Sequence, residues 1–501
     1  MTAPAPSHLP VVIQGGMGVG VSSWQLANAV ARTGQLGVVS GTALDAAIAR
    51  RLQDGDPTGD IRRALAAFPL PAVADRVLAK YYREGGRHGA PYAPAPRLAV
   101  HGERRTHSDR HSDELGVVGN FVEVWLAKQG HDGLIGVNYL EKLQMATPAA
   151  AYGAILAGVD YVLMGAGIPR ELPRLLTDLA EGRPGTIRVD VSGGPSLPQT
   201  LDPASLLADG EQVPPTRRPK FLAIVSSHVL AQFLARDEVT RPDGFVVEGP
   251  VAGGHTAPPR GRLELDEHGQ PVYGPRDEAN LPALAALAAK GMPFWLAGGY
   301  GEPEKLRAAL EAGAAGIQVG TLFALSRESG LAEDLREKLI NALRDESLDV
   351  RTSAGASPTG FPFKVAQVQG TLSDPELYAQ RPRLCDLGYL RTPYQRSGGA
   401  IGYRCPAEPL EVFIRKGGDP TGADRASCLC NALMADIDLG QNRKDGYTEV
   451  PLVTLGAELT GARRLDSEHW LHGGSAEGWS AAEVVAWLLG EGRRPSQTTP
   501  R

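Results

Sequence analysis

The segment FWLAGGYGEPEKLRAALEAGAAGIQVGT, residues 294–321, contains two short apolar runs that each end in glycine and are joined by a helical stretch. Continuous apolar runs of this length are typical of parallel strands that are buried on both faces. The glycines in Ala297-Gly298-Gly299 and in Gln318-Val319-Gly320-Thr321 let backbone amides approach a bound group closely. Because a helix begins after each turn and helix N-termini attract anions, the segment predicts a phosphate site at two adjacent strand ends.

Strand-like runs of the same kind recur earlier in the chain, at residues 11–14, 36–40, 134–138, 161–165, 221–225 and 245–248. Helical stretches lie between many of them, and about eight strand–helix repeats predict an α/β fold, either a (β/α)8 TIM barrel or a doubly wound sheet. We favour the barrel, because it brings the carboxyl ends of all strands to one face. Glycine and polar residues follow those ends: Gln14, Gly15, Gly16, Asn138, Gly165, Glu248, Gly298, Gly299, Gly320 and Thr321.

The chain divides by sequence pattern into two parts. We predict the barrel over residues 1–370, with insertions at about 81–120 and 186–220, and a C-terminal extension over residues 371–501. The second insertion holds one short strand, residues 186–189, in Pro/Gly-rich sequence. The first insertion is rich in Gly, Arg and His, so we expect the histidines in or beside it to be solvated, namely His88, His101, His107, His111 and His131.

All four cysteines, Cys385, Cys405, Cys428 and Cys430, lie in the extension. Disulfides are a poor first expectation in a cytoplasmic protein. The C-x-C spacing of the last two is less usual for zinc than C-x2-C. We therefore expect four ordinary thiols and no metal, with a zinc or iron–sulfur site as the alternative.

Composition excludes several classes of protein. The net charge is -6 and the pI is about 6.0, so the chain has no general attraction for nucleic acid or anionic membranes. A run of about 18 apolar residues, which a transmembrane helix needs, does not occur. The first residues, MTAPAPSHLP, lack the charged and apolar regions of a secretory signal. We expect a cytoplasmic protein.

The segment GFVVEGPVAGGH, residues 244–255, places a histidine after two glycines just beyond a strand end. Gly253 and Gly254 would let the backbone run against a flat cofactor. His255 would then point into the mouth of the barrel, where imidazole can move a proton near neutral pH. We predict that His255 is catalytic.

These segments, together with others in the same order, resemble the nitronate monooxygenase (2-nitropropane dioxygenase) family of FMN-dependent barrels. FMN-dependent enoyl-ACP reductases are related to that family. The resemblance covers about residues 10–365. Its segments are residues 11–41, IGVNYL (135–140), YVLMGAGIP (161–169), VEGPVAGGHTAP (247–258), residues 294–329 and ASPTGFPFK (356–364).

The resemblance implies a role for each matched residue. His255 matches a catalytic base, and Ser357, Pro358 and Gly360 match a turn that closes the site. The chain departs from many monooxygenases, which have Gln in place of Glu248 and Glu in place of Val251. The residues implied to bind FMN are Gln14, Gly15, Gly16, Met17, Asn138, Gly165, Glu248, Gly253, Gly254, Gly298, Gly299, Gln318, Val319, Gly320 and Thr321.

The implied function is an oxidoreductase that oxidises small alkyl nitronates or nitroalkanes with O2 to a carbonyl compound and nitrite. His255 would remove the α-proton of a neutral nitroalkane. The first alternative is an NAD(P)H-dependent enoyl-thioester reductase, with an acyl carrier as partner. The second alternative is a flavin-binding interaction protein without turnover.

Overall fold

The structure is a computed structural model and describes residues 9–16, 18–101 and 106–491. Met17 and the first eight residues therefore lie outside the described part, and so do the predictions that fall on them. The strands are β1 (Val12–Gln14), β2 (Gly37–Ser40), β3 (Ile135–Leu140), β4 (Tyr161–Gly165), β5 (Gly185–Val189), β6 (Leu197–Leu201), β7 (Lys220–Val225), β8 (Gly244–Glu248), β9 (Phe294–Ala297), β10 (Gly316–Val319), β11 (Asp349–Ser353), β12 (Phe363–Gln367), β13 (Thr392–Gln395) and β14 (Ile401–Arg404).

Helices follow most strands of the first 325 residues and make up much of the remainder. They are α1 (Trp24–Ala31), α2 (Leu44–Gln53), α3 (Asp60–Ala66), α4 (Pro71–Tyr81), α5 (His107–Ala127), α6 (Thr147–Leu156), α7 (Leu172–Ala180), α8 (His228–Leu234), α9 (Leu281–Ala288), α10 (Pro303–Glu311), α11 (Thr321–Ala324), α12 (Glu333–Arg344), α13 (Pro375–Gln380), α14 (Leu410–Arg415), α15 (Leu429–Ala435), α16 (Thr460–Leu471) and α17 (Ala481–Leu489). Among the described residues, no helix is long and apolar enough to cross a bilayer.

Eight parallel strands form one sheet in the order β1-β10-β9-β8-β7-β4-β3-β2. The two end strands also meet, since Ile13 bridges to Leu36 in parallel. Two hydrogen bonds close this seam, from the amide of Gln14 to the carbonyl of Leu36 (3.0 Å) and from the amide of Leu36 to the carbonyl of Val12 (3.1 Å). The sheet is therefore a closed (β/α)8 barrel, and the predicted fold is confirmed.

Alternate residues of the barrel strands face opposite sides. One set fills the barrel interior: Ile13, Leu36, Val38, Tyr161, Leu163, Leu222, Ile224, Val246, Trp295 and Ala297. The other set, which includes Val12, Val39 and Val162, packs in the layer beneath the helices. Because both faces are buried, the strands read as continuous apolar runs.

The predicted first insertion is only partly a loop. α4 ends at Tyr81, an irregular stretch follows, and α5 begins at His107 with a capping box between Thr106 and Asp109. α5 is largely buried and packs against α2 and α6. The capping box, with an apolar run after it, is the sequence signal that indicates this helix.

Two of the histidines expected to be solvated pack against the protein instead: His111 is buried and His101 is half-buried. His111 lies on the inner face of α5, and its Nε2 is 2.9 Å from Tyr81 Oη. His101 hydrogen-bonds Gln199 and Thr200. The prediction is wrong for both, because the apolar residues of α5 bring the flanking polar segment against the barrel.

The extension shares its core with the barrel. α17 packs on α1 and α10, and α16 packs on α12. Trp479, just before α17, is fully buried and donates its indole N–H to the carbonyl of Leu322 in α11 (2.8 Å). The last helix of the described residues, α17, has Ser480 as its N-cap.

We predict that Trp479→Ala lowers the free energy of unfolding by about 3–5 kcal/mol, because it removes a fully buried indole and leaves a cavity. Chemical denaturation followed by circular dichroism measures this. Trp470→Ala is the matched control, since Trp470 is 45% exposed. Equal losses in the two variants would show that Trp479 does not anchor the extension.

Candidate functional site

The carboxyl ends of β9 and β10 lie side by side, since Ala297 pairs with Gln318. Gly298 and Gly299 follow with φ of 82° and 81°, a region that favours glycine. A Cβ on Gly298 would lie 2.9 Å from the carbonyl oxygen of Gly249, so a side chain does not fit. These glycines, with Gly320 and Thr321, line a void of about 750 Å³ that we call the glycine cavity.

The extension supplies part of the wall of the glycine cavity through Thr454, Leu455, Gly456, Glu458, Gly461 and Ala462. The amide of Gly456 donates to Thr321 Oγ1 (3.0 Å), and the amide of Gly254 donates to Thr454 Oγ1 (2.8 Å). Thr321 thus accepts a bond from the extension and keeps its hydroxyl hydrogen for another acceptor. The segment that follows the barrel is therefore part of the site.

Side-chain cations do not line the glycine cavity within the described part of the chain. Three carboxyl groups do, those of Glu248, Glu302 and Glu458. Glu302 is paired with Lys305 (3.0 Å) and with Arg464, which offset its charge. An anion in this cavity would therefore be held by backbone amides, as at other glycine-rich strand ends.

A second cavity of about 890 Å³, the central cavity, adjoins the first. The two share Glu248, Gly253 and Thr454 in their walls. Glycines again allow close approach of the backbone: a Cβ on Gly16 would lie 2.6 Å from Asn138 Cβ. The remaining wall includes Asn138, Gly165, Gly254, His255, Phe363, Tyr389 and Cys430.

His255 stands at the border of the central cavity and a third one. Its Nε2 lies 2.7 Å from Ser357 Oγ, and its ring meets the edge of Phe363 at a centroid distance of 4.8 Å. Burial, and then the nearby ammonium of Lys142, lower the pKa of His255 to about 4. The imidazole is therefore neutral near pH 7 and is able to accept a proton.

Glu248 ends β8 and lines all three cavities. Burial raises its pKa to about 7, against the opposing effect of the Lys364 ammonium. Burial likewise lowers the pKa of Lys364 to about 8, and Glu248 opposes this shift. The Lys364 ammonium donates to the carbonyl of Pro250 (2.7 Å) and to Thr352 Oγ1 (2.6 Å). Near neutral pH, Glu248 can therefore hold or release a proton.

The third cavity, which we call the side cavity, opens on the other side of His255 and has a void of about 870 Å³. Its walls are mainly apolar and include Ile168, Leu230 and Phe361. Ile168 is 52% exposed, so the apolar wall continues to the protein surface. The arrangement leaves room beside His255 for a hydrocarbon chain.

Two buried acceptors in these walls have no hydrogen-bond partner among the described residues. Asn138 donates its amide to the carbonyl of Gly16 (3.0 Å), which leaves Asn138 Oδ1 unpaired. Gln318 Oε1 is also unpaired. Buried polar atoms are usually satisfied. Both acceptors therefore suit a ligand that brings hydroxyl or N–H donors.

The structure brings most of the predicted site residues together. Gln14 does not line any of these cavities, because its amide is fully used within the barrel, and Met17 lies outside the described residues. The residues that line a cavity are Gly15, Gly16, Asn138, Gly165, Glu248, Gly253, Gly254, His255, Gly298, Gly299, Gln318, Val319, Gly320 and Thr321. Ser357 touches His255 directly.

Sequence reasoning did not single out several residues that contribute to the site. Lys142 lies 4.2 Å from the centre of the Phe361 ring and affects His255 electrostatically. Tyr389 and Cys430 reach the central cavity from the extension. Lys364 and Phe363 lie inside the matched segment at residues 356–364, which could have indicated them. Nothing in the local sequence marks the extension residues.

The cysteines are all free thiols. Within the described ranges, no group of three or more His, Cys, Asp and Glu side chains is arranged to hold a metal ion.

The fold and the cavities define a class: an α/β barrel with a ligand site at the carboxyl ends of its strands. Residues 221–360 match the family described as nitronate monooxygenase. A nitronate monooxygenase of Pseudomonas aeruginosa is 34% identical over 158 residues, 30% of this chain and 42% of that protein. The chain thus aligns with less than half of that relative. The resemblance of this chain to the nitronate monooxygenase family, which the motifs predicted, is confirmed.

Solved structures of similar arrangement include FabK from Thermotoga maritima, with a TM-score of 0.46 and 16% identity over 97% of this chain and 93% of that one. A nitroalkane oxidase from Streptomyces ansochromogenes has a TM-score of 0.44 and 14% identity, over 96% of each chain.

We predict that Lys364→Met raises the pKa of Glu248 above 7, because the substitution removes the positive charge that opposes the effect of burial. Infrared difference spectra recorded as a function of pH follow the protonation of the Glu248 carboxyl. The same spectra of Glu248→Gln, which lacks this carboxyl, identify its band. Lys142→Met is the matched control, since Lys142 acts on His255 and not on Glu248. An unchanged or lower pKa in Lys364→Met would contradict the assignment.

Proposed function

We propose that this chain is an FMN-dependent oxidoreductase that oxidises alkyl nitronates with molecular oxygen. The observation that carries the proposal is the shared wall of the glycine and central cavities at Glu248, Gly253 and Thr454. Because the cavities adjoin, one extended ligand can reach from the glycine strand ends to His255. The family match over residues 221–360 includes the barrel residues of this wall and supports the same cofactor.

The residues present fit FMN. Backbone amides at Gly298, Gly299, Gly320 and Thr321 would hold its phosphate. The unpaired Gln318 Oε1 and Asn138 Oδ1 would accept from its ribityl hydroxyls or ring N–H. Gly16, Gly253 and Gly254 would let its ring lie against the backbone. When bound, FMN would take electrons from the substrate and pass them to oxygen.

The side chains of the central cavity would handle protons and charge. His255 is neutral near pH 7 and would accept the α-proton when the substrate arrives as a neutral nitroalkane. Ser357 would hold the ring in place through its contact with Nε2. A nitronate has already lost that proton, so His255 would matter less for it.

Glu248 would serve the same reaction as a proton store. An ionised carboxylate disfavours further negative charge beside it, whereas a protonated one does not and can donate. The raised pKa of Glu248 therefore suits a cavity in which negative charge develops.

The side cavity favours a second candidate function, an NAD(P)H-dependent reductase of enoyl thioesters. Its apolar walls at Ile168, Leu230 and Phe361 would take the hydrocarbon chain of such a substrate next to His255. The two candidates differ in the redox partner, which an experiment can separate.

We predict that the purified holoprotein consumes oxygen and releases nitrite with alkyl nitronates, and that NADPH bleaches its flavin only slowly. An oxygen electrode, a nitrite assay and rapid mixing with NADPH measure the three quantities. Fast bleaching together with turnover of an enoyl thioester would replace the first function with the second. If the protein neither consumes oxygen, nor releases nitrite, nor reacts with NADPH, it is a flavin-binding protein without turnover.

We predict that His255→Ala lowers the rate with neutral nitroalkanes by about 10²–10⁴-fold and lowers the rate with preformed nitronates much less. In the unsubstituted protein, the nitroalkane rate should fall as pH approaches 4, because the protonated ring cannot accept a proton. FMN absorbance shows that the cofactor stays bound. Ser357→Ala is the control variant, because it removes the hydroxyl that holds the His255 ring in place and leaves the imidazole itself. Equal losses with both substrates would assign His255 a structural role.

We predict that Gly299→Ala weakens FMN binding about tenfold or more, which corresponds to about 1.4 kcal/mol. The new Cβ would lie 3.1 Å from Val251 Cγ2 and would occupy the left-handed region. Gly313→Ala is the matched control, with φ of 85° and its Cβ 3.4 Å from Ala285. Flavin fluorescence titration gives both affinities. If Gly299→Ala and Gly313→Ala bind FMN with equal affinity, the phosphate does not lie at Gly299.

A further inference from the structure

The turn at residues 357–360 lies beside His255 and contains one residue that the family resemblance leaves without a role, Thr359. Thr359 Oγ1 lies 2.8 Å from Ser357 Oγ, and Ser357 Oγ lies 2.7 Å from His255 Nε2. Two side-chain hydroxyls therefore stand one behind the other at the same nitrogen of the imidazole.

The two ring nitrogens of His255 have different surroundings. Nε2 faces Ser357, whereas Nδ1 has no hydrogen-bond partner in the part of the chain that the structure describes and is not fully buried. Because His255 borders both the central and the side cavity, Nδ1 is the nitrogen that a substrate can reach. A neutral imidazole carries one ring N–H hydrogen, so Nδ1 can accept a proton only when that hydrogen is on Nε2.

The hydrogen bonds of the Ser357 hydroxyl decide which nitrogen carries this hydrogen. A hydroxyl has one hydrogen to donate and two lone pairs that accept. The backbone amide of Thr359 donates to one lone pair of Ser357 Oγ (3.2 Å), which leaves one lone pair and one hydrogen for two neighbours, His255 Nε2 and Thr359 Oγ1. If Ser357 donates to Thr359, then Nε2 must donate to Ser357. If Ser357 donates to Nε2, the imidazole hydrogen must be on Nδ1.

The Thr359 hydroxyl is able to accept the Ser357 hydrogen. Thr359 Oγ1 accepts from the amide of Phe361 at 3.4 Å, which leaves its second lone pair for Ser357. Thr359 is half-buried, so its own hydrogen can reach solvent. In the opposite arrangement, a hydrogen on Nδ1 would have no acceptor among the described residues. Unpaired N–H donors are rarer in protein interiors than unpaired acceptors, which favours the hydrogen on Nε2.

We propose that Thr359 is a positioning residue that holds His255, through Ser357, in the tautomer with hydrogen on Nε2, so that Nδ1 is the nitrogen that removes the substrate proton. The tautomer follows from the contacts alone, whereas its use in catalysis rests on the proposed oxidation of nitroalkanes.

In that reaction, the α C–H bond of a neutral nitroalkane breaks and a new N–H bond forms at Nδ1. The electron pair of the C–H bond stays on the substrate, which becomes the nitronate anion, and His255 becomes an imidazolium with hydrogen on both nitrogens. The hydrogen bond from Nε2 to Ser357 is present before and after the transfer, so the two hydroxyls do not have to reorient. The wrong tautomer would present a hydrogen in place of a lone pair and would block the base.

The test records nitrogen-15 NMR spectra of the full-length protein labelled in histidine, near pH 7, because protonated and unprotonated ring nitrogens differ in chemical shift. Subtraction of the spectrum of His255→Gln identifies the signals of His255. The unsubstituted protein should show hydrogen on Nε2 and none on Nδ1. Thr359→Val keeps the shape of the side chain but removes Oγ1, so Ser357 should donate to Nε2 and the imidazole hydrogen should move to Nδ1. Thr359→Ser restores a hydroxyl and should keep the original tautomer.

Turnover supplies the second readout. Thr359→Val should lower kcat with neutral nitroalkanes by about tenfold or more and leave kcat with preformed nitronates and the affinity for FMN unchanged, and Thr359→Ser should restore the rate.

Hydrogen on Nδ1 in the unsubstituted protein would overturn the proposal, even if Thr359→Val does not fold. An unchanged tautomer in Thr359→Val, equal losses of rate with both substrates, or a serine variant that does not restore the rate would also overturn it. Because the NMR spectra do not involve turnover, a wrong tautomer is distinct from a failure of the nitronate or reductase assays.

Discussion

The site depends on the hydrogen bonds that close the barrel between its first and second strands. Besides the Leu36 bonds, the buried amide of Gln14 joins both sides of this seam: its nitrogen donates to the carbonyl of Gly15 and to Ser22 Oγ, and its oxygen accepts from the amide of Val38 (2.8 Å). Gly15 in turn donates to the carbonyl of Val319. Without this closure the strand ends would not meet on one face, and the three cavities would not share walls. Gln14 therefore supports the site through hydrogen bonds within the barrel.

The extension acts on the site by direct contact. Thr454 and Gly456 bond to residues after β8 and β10, and Cys430 forms part of the central wall. Trp479 fixes the same part of the chain against α11. A short barrel would leave these walls open to solvent, which would weaken electrostatic interactions inside the cavity. The added residues thus change the dielectric surroundings of His255 and Glu248 as well as the shape of the cavity.

Sequence predicts the barrel and the glycine strand ends because both follow from local rules. Buried parallel strands require apolar runs, and the left-handed turns at Gly298 and Gly299 require glycine. His255 is predictable from the glycines before it. The extension residues at the site, such as Tyr389, are not, because they reach the cavity by tertiary packing alone. The prediction that His101 and His111 are solvated is wrong for the same reason, since their polar flanks resemble a solvated loop.

Burial shifts the pKa of His255 down and that of Glu248 up, so both groups tend toward the neutral form near pH 7. A cavity of this kind disfavours any charged ligand that lacks a partner. For the proposed nitronate, that partner would be a cation close to His255. Lys142 meets this need, since it lies against the Phe361 ring and already acts on His255. Burial is the main cause that keeps the imidazole neutral and the Lys142 ammonium adds to it. The same lysine, which lies outside every motif that marks the family, would therefore both lower the basicity of His255 and attract the anionic substrate.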